Sequence, residues 1–308
     1  MKMKRSLCGW IAVFCCLFLV HSAHAGSGLT RISDHVYAYV DVKEASPANS
    51  FGANAGIIIG PDSIVVIDTL VSAREAQRFL RDIREISDKP ISSVINTHYH
   101  LDHAFGNAEF AKQGAVIIAH AACRDEMEHK AADVLANTKN YGLTDEDMSG
   151  TEIAFPDITF TDRLQLHLGD LEVELINVAP SHSKGSILVY LPGEKVVFAG
   201  DTLFTDYHPY MGDGDIPGWQ QTLDFLATLD ADKIIPGHGP LSSKKDVADI
   251  KSYISLFDKM AKAFTSGKTD PAEIAAEMKK ILPAKAQGEW LIQANIEAKY
   301  LKKDAEKN

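Results

Sequence analysis

The most informative stretch of this sequence is Asn96-Thr97-His98-Tyr99-His100-Leu101-Asp102-His103. It contains four side chains that can bind a metal ion within six residues. His98 and His100 are two residues apart, so in an extended segment both leave the backbone on the same side and can bind one ion. Asp102 and His103 follow as the chain turns into a predicted helix. They therefore point elsewhere and can serve a second ion.

Three further candidate ligands each follow a predicted strand. His182 lies in a polar turn, Asp201 follows the apolar run 196–199, and His238 lies in the segment Pro236-Gly237-His238-Gly239-Pro240. Open α/β sheets usually carry their functional groups at such strand ends. Glycines beside Asp201 and His238 permit close backbone approach.

Strands and helices alternate around these segments. Two β-branched runs, 56–60 and 64–67, flank a Pro-Asp-Ser turn and predict a hairpin. Helical spacing predicts a helix over 72–86, with Ser72 as the N-cap and Glu75 completing a capping box. A second helix is predicted at 218–229. Further strands are predicted at 91–95, 116–119, 171–178, 186–191, 196–199 and 233–235. The pattern predicts an α/β fold in which helices cover the outer faces of sheets.

From Ser243 onward the spacing of apolar residues is helical only. Asp270-Pro271 begins a second helix of this region, with proline near its first position, and a third runs from Gln287 to about Lys303. We expect residues 243–308 to form a helical C-terminal extension. Two roles are open to it, a cap over the site or a dimer contact, and the oligomeric state is left open with them.

The first 25 residues have the pattern of a secretory signal peptide. Three basic residues precede an apolar run over 7–20, and Ala23-His24-Ala25 has the small-x-small pattern of a cleavage site. The alternative, an uncleaved membrane anchor, requires a longer apolar run. We therefore expect residues 1–25 to be removed, which leaves a periplasmic or secreted protein without a membrane anchor.

Removal of this segment makes the chain more acidic. The full chain has 31 Lys and Arg, of which three are lost, so 28 remain against 42 Asp and Glu and the net charge becomes −14. An acidic surface repels phosphate backbones, so nucleic acid is not expected as a partner.

With these motifs the chain resembles the metallo-β-lactamase superfamily of hydrolases, in its His-x-His-x-Asp-His form with a glyoxalase II-like dinuclear site. The resemblance covers residues from about 30 to 245 and includes a fifth motif, Val66-Ile67-Asp68-Thr69, in the family's order. It implies a four-layer αββα metallo-β-lactamase sandwich over residues 26–242, built from two similar halves, with the metals at one edge between the sheets.

The resemblance also implies a role for each candidate ligand. One ion would be bound by His98, His100 and His182, and the other by Asp102, His103 and His238. Asp201 would bridge the two ions, and Asp68 would orient the histidine-rich loop from behind. Imidazole and carboxylate ligands together suit two zinc ions, although iron and manganese are also compatible.

These ligands point to a metal-dependent hydrolase. A zinc-bound water has a pKa near about 7, so a metal-bridging hydroxide could attack the carbonyl of a small ester, thioester or lactone. Asp102 could both bind metal and orient the nucleophile. Asp201 favours the thioesterase and lactonase branches, because the best-known β-lactamase groups carry Cys or Ser at that position.

Two alternatives follow from the same residues. The first is β-lactam hydrolysis, which agrees with export. The second is a non-catalytic periplasmic metal-binding accessory protein, which the complete ligand set disfavours. For the small-molecule acyl substrate, candidate pocket residues are Tyr207, His208 and Tyr210, which follow Asp201 closely; the competing interpretation is a loop of packed aromatic residues.

Overall fold

The first half of the chain forms a seven-stranded sheet in a computed structural model that describes residues 28–301. Its strands, adjacent in chain order, are β1 (Thr30–Arg31), β2 (Val36–Ala38), β3 (Gly56–Ile59), β4 (Ile64–Ile67), β5 (Ile91–Ile95), β6 (Val116–His120) and β7 (Ile158–Phe160). Strands β1 to β4 are antiparallel, and β4 to β7 run parallel. The predicted signal peptide lies outside the described residues.

The second half forms a five-stranded sheet. Its strands are β8 (Arg163–Leu168), β9 (Leu171–Ile176), β10 (Leu188–Leu191), β11 (Val196–Phe204) and β12 (Lys233–His238). They lie in the order β12-β11-β10-β9-β8, and β11 with β12 is the parallel pair among otherwise antiparallel neighbours. Each half therefore ends in parallel strands whose carboxyl ends lie at the same edge.

Eight α-helices cover the two sheets in the described part of the chain. They are α1 (Ala73–Ile86), α2 (Leu101–Ala104), α3 (Asn107–Ala111), α4 (Ala121–Ala136), α5 (Ile216–Thr228), α6 (Lys244–Thr265), α7 (Pro271–Met278) and α8 (Leu291–Asn295). The last of them continues into a π-helical turn, Ile296–Leu301. Between residues 28 and 301 no helix is both long and apolar enough to span a membrane.

Three hydrophobic cores define four layers. The first lies between the sheets, where Ile67 and Ile95 of one sheet meet Val189 and Phe198 of the other. The second packs α1 and α3 against the outer face of the first sheet. The third packs α5, α6 and α7 against the outer face of the second sheet. The predicted αββα sandwich with C-terminal helices is confirmed.

Most predicted helices and strands were confirmed; β7 and β8 were not predicted, and three other details differ. Strand β11 is longer than predicted and passes through Asp201, because its pairing with β12 continues across irregularities on both sides of Gly200. Ser72 caps α1, but the Glu75 carboxylate pairs with Arg78 instead of closing the capping box. The third C-terminal helix begins at Leu291, later than the predicted Gln287.

Candidate metal centre

Seven predicted ligand side chains meet where the parallel strands of both sheets end. They form a first ligand group (His98, His100, His182) joined by Asp201, and a second ligand group (Asp102, His103, His238). Within each set the potential ligand atoms all lie within 4.8 Å of one another. The structure thus brings together all seven residues that the sequence singled out.

The histidine-rich loop is held in place by a buried amide pair. Strand β5 ends at Ile95, the chain bends at Thr97 and His98, and α2 begins at Leu101 after an extended His100. Asn96 and Asn107 donate to each other's side-chain oxygens at 2.9 and 2.8 Å, which ties the start of this loop to α3. Sequence analysis missed this pair, because two asparagines eleven residues apart carry no distinctive pattern.

Asp201 reaches its position through an irregularity in β11. The register against β12 shifts on both sides of Gly200, and such bulges re-aim side chains near functional sites. Gly237 of β12 lies directly beneath Asp201: a Cβ atom there would come within 1.9 Å of the Asp201 Oδ1 atom. Only glycine leaves room for the carboxylate at this point.

The Asp201 carboxylate directs one oxygen to each ligand group. Its Oδ2 lies 3.3 Å from His182 Nε2 and 3.8 Å from His98 Nε2. Its Oδ1 lies 3.1 Å from His103 Nε2 and 3.6 Å from His238 Nε2. This geometry suits a carboxylate shared between two ions.

Each ligand imidazole turns its other ring nitrogen to an oxygen atom outside the cluster. For His182 and His238 these oxygens are the carbonyls of Tyr210, at 3.1 Å, and Phe51, at 3.2 Å. A carbonyl only accepts, so in both rings Nδ1 carries the hydrogen and Nε2 keeps a lone pair directed at the cluster. The surroundings therefore select the tautomers that bind metal.

Asp68 supports two of the ligand rings from behind. Its Oδ2 accepts from His103 Nδ1 at 2.9 Å and from the Thr97 hydroxyl at 2.7 Å, and its Oδ1 accepts from the Thr97 backbone N–H at 2.7 Å. The Thr97 hydroxyl donates to Asp68, so its lone pair can accept from His98 Nδ1, 3.1 Å away. Asp68 itself adopts a left-handed backbone with φ +59°, which non-glycine residues rarely do and which is found preferentially at functional sites.

The residues present fit divalent metal ions. His100 Nδ1 and His182 Nε2 lie 2.8 Å apart, and both nitrogens carry lone pairs once the opposite nitrogens donate outward. Two facing lone pairs repel unless a cation or proton lies near both. Buried polar atoms without a hydrogen-bond partner include His98 Nε2, His103 Nε2 and Asp201 Oδ1, all directed into the cluster. Leaving such a set of buried lone pairs without a partner is costly unless an ion binds them.

The pKa values of the cluster follow from burial and from close opposite charges. Burial would raise the pKa of Asp201, but the nearby histidines, His103 first, hold it well below its ordinary value. Burial would lower the pKa of His103, but Asp201, Asp102 and Asp68 raise it well above its ordinary value. Burial lowers the pKa of His182 to about 3. The carboxylates therefore favour positive charge beside them, whereas burial favours the neutral form of His182, the form that binds metal.

Two ligand side chains are more open than the rest. The side chains of His100 and Asp102 are each 12% exposed, whereas the other five are 5% exposed or less. The two belong to different ligand groups. A small molecule entering at this edge would therefore meet both groups, in contrast to the closed sites that bind structural zinc.

The three candidate pocket residues lie on two sides of their loop. Tyr207 contacts the His238 ring at a centroid distance of 4.9 Å, and Tyr210 lies 5.6 Å from the His100 ring. His208 instead places Nδ1 2.6 Å from the hydroxyl of Tyr253 on α6 and lines a separate small cavity of about 70 Å³ under the C-terminal helices. Neighbouring residues of an extended segment face opposite sides, so Tyr207 and His208 do not line one pocket.

Comparisons with known proteins agree with this arrangement. The family model of the metallo-beta-lactamase superfamily matches residues 48–238. A linear primary-alkylsulfatase from Pseudomonas sp. is 30% identical over 229 residues, 63% of this chain and 43% of that protein. A type 2 metallo-beta-lactamase from Bacteroides fragilis is 22% identical over 234 residues, 74% of this chain and 86% of that protein.

The solved structures agree on the fold. A metallo-beta-lactamase from Pontibacter korlensis superposes with a TM-score of 0.59 at 19% identity, over 74% of this chain and 98% of its own. The chain spans less than half the length of the alkylsulfatase that it matches. The matched region contains every residue of the two ligand groups. The chain therefore belongs to the metallo-β-lactamase superfamily of metal-dependent hydrolases.

Proposed function

We propose that this protein is an exported hydrolase that uses two divalent metal ions, zinc by preference, to cleave a small ester, thioester or lactone. The main support for two ions is the Asp201 carboxylate. It directs one oxygen to each ligand group, with the histidine Nε2 atoms 3.1–3.8 Å from these oxygens. A single ion would leave one of these oxygens and one ligand group without a partner.

The two ligand groups divide the binding between them. His98, His100 and His182 would hold one ion, and Asp102, His103 and His238 the other, with Asp201 shared. Divalent ions held by these residues would supply a hydroxide nucleophile at neutral pH and polarise the carbonyl oxygen of the substrate. Zinc is favoured because all seven ligands are imidazole or carboxylate, a set that also accepts iron and manganese.

Asp102 is the residue of this chain best placed to move a proton. Its Oδ2 faces His238 Nε2 at 3.3 Å and His103 Nε2 at 3.7 Å. Its pKa lies below the ordinary value: burial would raise it, but the neighbouring His103 and His238 lower it. The carboxylate lies at the open edge of the centre. It can therefore orient an attacking water, accept its proton and return that proton to the leaving atom.

The substrate class rests on Asp201. An aspartate at the shared position favours acyl substrates of the thioesterase and lactonase branches, following the resemblance described above. His100 and Asp102, each with 12% of its side chain exposed, are the candidate ligands that such a substrate would meet first.

Export is proposed from the N-terminal pattern of residues 1–25. Expression of the full chain in a Gram-negative host, followed by mass spectrometry of the periplasmic fraction, should give a mature chain that begins at Gly26. A chain retained in the membrane fraction with its first 25 residues intact would contradict export of a soluble form.

The function is tested by one parallel assay of the purified mature protein. Hydrolysis of an aryl ester, a thioester, an aryl lactone, an alkyl sulfate and a chromogenic cephalosporin is measured before and after chelator treatment, and after zinc, iron or manganese is restored. We expect chelator-sensitive cleavage of the acyl substrates. His100→Ala should remove this activity, and the matched control His167→Ala, an exposed histidine on β8, should retain it.

β-Lactam hydrolysis is the second candidate. It is favoured by the match to the Bacteroides fragilis enzyme, which spans most of both chains. Cephalosporin cleavage well above the rates for the other four compounds would replace the acyl proposal with this one. Two bound metal ions without turnover of any compound would contradict both and favour a non-catalytic metal-binding role.

A further inference from the structure

Asp213 lies against the exposed edge of the first ligand group. Its Oδ2 accepts from Tyr99 Oη at 2.7 Å and lies 3.0 Å from His100 Nε2. Its Oδ1 accepts from Lys130 Nζ at 3.2 Å. Lys130 also donates to Tyr99 Oη at 2.8 Å and lies over the Tyr99 ring, 4.6 Å from its centroid.

The contact with Asp213 decides which nitrogen of His100 can bind metal. A carboxylate only accepts hydrogen bonds, so His100 Nε2 must carry the hydrogen. The lone pair then lies on Nδ1, which faces His182 Nε2 at 2.8 Å inside the cluster. Carboxylates that accept from the outer nitrogen of a metal-bound histidine fix its tautomer and ring orientation and raise its basicity.

We propose that Asp213 is a positioning residue for the metal ion of the first ligand group, acting through the His100 ring. The proposal rests on the metal centre of the proposed function. Asp213 acts as an acceptor and not as a ligand, because Oδ2 is taken by His100 and Tyr99 while Oδ1 is taken by Lys130.

Asp213 is itself held in a fixed turn. Asn295 of α8 accepts from the Met211 N–H at 2.6 Å, and the Gly214 N–H returns to the Met211 carbonyl at 3.1 Å. The Asp215 N–H donates to the carbonyl of Ser181, next to the ligand His182, at 2.8 Å. The turn is therefore tied to the same ligand group that Asp213 serves, which separates it from an ordinary surface ion pair.

The position of His100 explains why a charged acceptor is needed there. The outer nitrogens of His182 and His238 face backbone carbonyls, and His98 and His103 are supported by buried Asp68 and its partner Thr97. His100 is the most exposed ligand histidine, at 12% of its side chain, so water competes for its outer nitrogen. A charge-assisted bond is about twice as strong as a neutral one and resists that competition.

The test is a two-site metal titration of the purified mature protein. Metal-free wild type, Asp213→Asn and Asp213→Ala are titrated with zinc against a competing chelating dye. We expect Asp213→Ala to weaken one of the two sites by about 10–100-fold, the usual range for outer partners of metal ligands, while the other site changes little. Asp213→Asn, which keeps an accepting oxygen, should lie between Ala and wild type.

A spectroscopic signal separates positioning from a general structural role. In the cobalt-substituted protein, paramagnetic NMR should show an exchangeable N–H signal from the His100 ring, assigned by its absence in His100→Ala. In Asp213→Ala this signal should broaden or vanish through exchange with water, while the N–H signals of the remaining ligand histidines persist. Glu126→Gln is the matched control, because Glu126 also pairs with Lys130, at 3.3 Å, without contacting His100.

The outcomes distinguish the two proposals. A wild type that binds no metal would contradict the proposed function itself. A wild type with two sites, and Asp213→Ala with both affinities and the His100 signal unchanged, would overturn the positioning role alone. Equal weakening of both sites would also overturn it, because that result indicates a general loss of structure.

Discussion

The metal centre has two supports, one in the buried core of the first sheet and one in an irregular loop at the edge of the site. The first is Asp68, 2% exposed, which follows β4 directly and bonds to Thr97, just past the neighbouring strand β5, and to His103 of α2. Its bonds span about 30 residues of chain and cross between two adjacent parallel strands. This support belongs to the core of the first half.

The second support is the rim loop, defined here as residues 205–214. It supplies the Tyr210 carbonyl to His182 and the Asp213 carboxylate to His100. The loop has no regular structure of its own beyond an isolated bridge from Tyr207 to Gln287. Its shape depends on the C-terminal extension, which is remote in sequence.

The comparison shows which part of the fold positions each ligand histidine. The αββα core alone fixes His98 and His103, whereas the outer nitrogens of His100 and His182 meet a loop that the C-terminal helices hold in place. This gives the extension a third role beside the two open ones, cap or dimer contact. It braces the loop that orients two of the seven candidate ligands, His100 and His182.

The largest expected effect comes from Asp201, which belongs to neither support and joins both ligand groups. Asp201→Ala removes both oxygens that face the four histidine Nε2 atoms. We expect zinc affinity to fall at both sites by at least about 100-fold, beyond the range for outer partners, and hydrolysis to be lost with it. Metal content after dialysis against a weak chelator measures this. Retention of two ions would show that Asp201 is not shared.

The next effect tests the first support. Asp68→Asn can still adopt the left-handed backbone, but its amide has one accepting oxygen for three donors. We expect both zinc sites to weaken by about 10–100-fold, because His98 and His103 belong to different ligand groups. The metal-free protein should also lose about 3–5 kcal/mol of unfolding free energy, since the buried His103 loses its charged partner. Zinc titration and urea unfolding measure the two effects.

Weaker zinc binding at only one of the two sites in Asp68→Asn would contradict this interpretation. That pattern is expected for the rim loop and not for the core support. Thr97→Val is an informative companion, because it removes the hydroxyl between Asp68 and His98 but leaves the Asp68–His103 bond intact. It should therefore weaken only the site of the first ligand group.

The difference between the supports also explains what the sequence could predict. Residues 96–103 and Asp68 follow strands, His238 ends β12 and Asp201 follows the apolar run 196–199, so periodicity and short motifs locate them and predict which edge they share. Their burial in one cluster follows from the topology. This part of the centre lies close to strands that the sequence predicts, and short motifs therefore locate it.

The sequence of the rim loop contains no comparable motif. Asp213 lies in a Met-Gly-Asp-Gly turn that reads as an ordinary loop, and its partner Lys130 is 83 residues away on α4. Strands β7 and β8 were also not predicted: β7 has only three residues, and β8 lacks the β-branched run that marked other strands, although its residues alternate in exposure. Contacts between distant segments depend on packing that no spacing along the chain encodes.

The next prediction concerns the contact between α8 and the rim loop, which a substitution at Asn295 removes. Asn295, 1% exposed, accepts from Met211 N–H and donates to the Pro209 carbonyl at 2.8 Å. Asn295→Ala leaves both groups without a partner, so we expect a loss of about 1–3 kcal/mol in unfolding free energy. Zinc binding should weaken only at the site that contains His100 and His182. Urea unfolding and two-site titration measure the two effects.

Two controls sharpen this result. Asn295→Asp keeps the acceptor for Met211 but turns a charged, buried oxygen toward the Pro209 carbonyl, so it should destabilise the protein at least as much as alanine. Gln293→Ala changes an exposed side chain of the same helix, whose bond reaches only Glu297. If Asn295→Ala destabilised the protein but left both zinc sites unchanged, the extension would stabilise the fold without bracing the centre.

The smallest expected effect concerns the opposite face of the rim loop. His208 bonds to Tyr253 of α6, and burial lowers the pKa of His208 to about 4, with Lys285 adding to the shift. The folded pKa lies below the unfolded value of about 6.5, so the unfolded state binds more protons between pH 4 and 6.5. The stability that His208 contributes is therefore complete above pH 6.5 and falls as the pH decreases toward 4.

Urea unfolding of wild type and His208→Asn at pH 7.5 and pH 5 isolates this contribution. Both proteins carry the same ligand histidines, so their shared acid sensitivity cancels in the difference. We expect wild type to lose about 1 kcal/mol more than the variant between the two pH values, a discounted figure because the ring is only partly shielded. Zinc affinity at pH 7.5 should be equal in both, because His208 faces away from the centre. A variant as acid-sensitive as wild type would show that the rim loop is attached to α6 by packing alone, and the bond to Tyr253 would then contribute little to the brace.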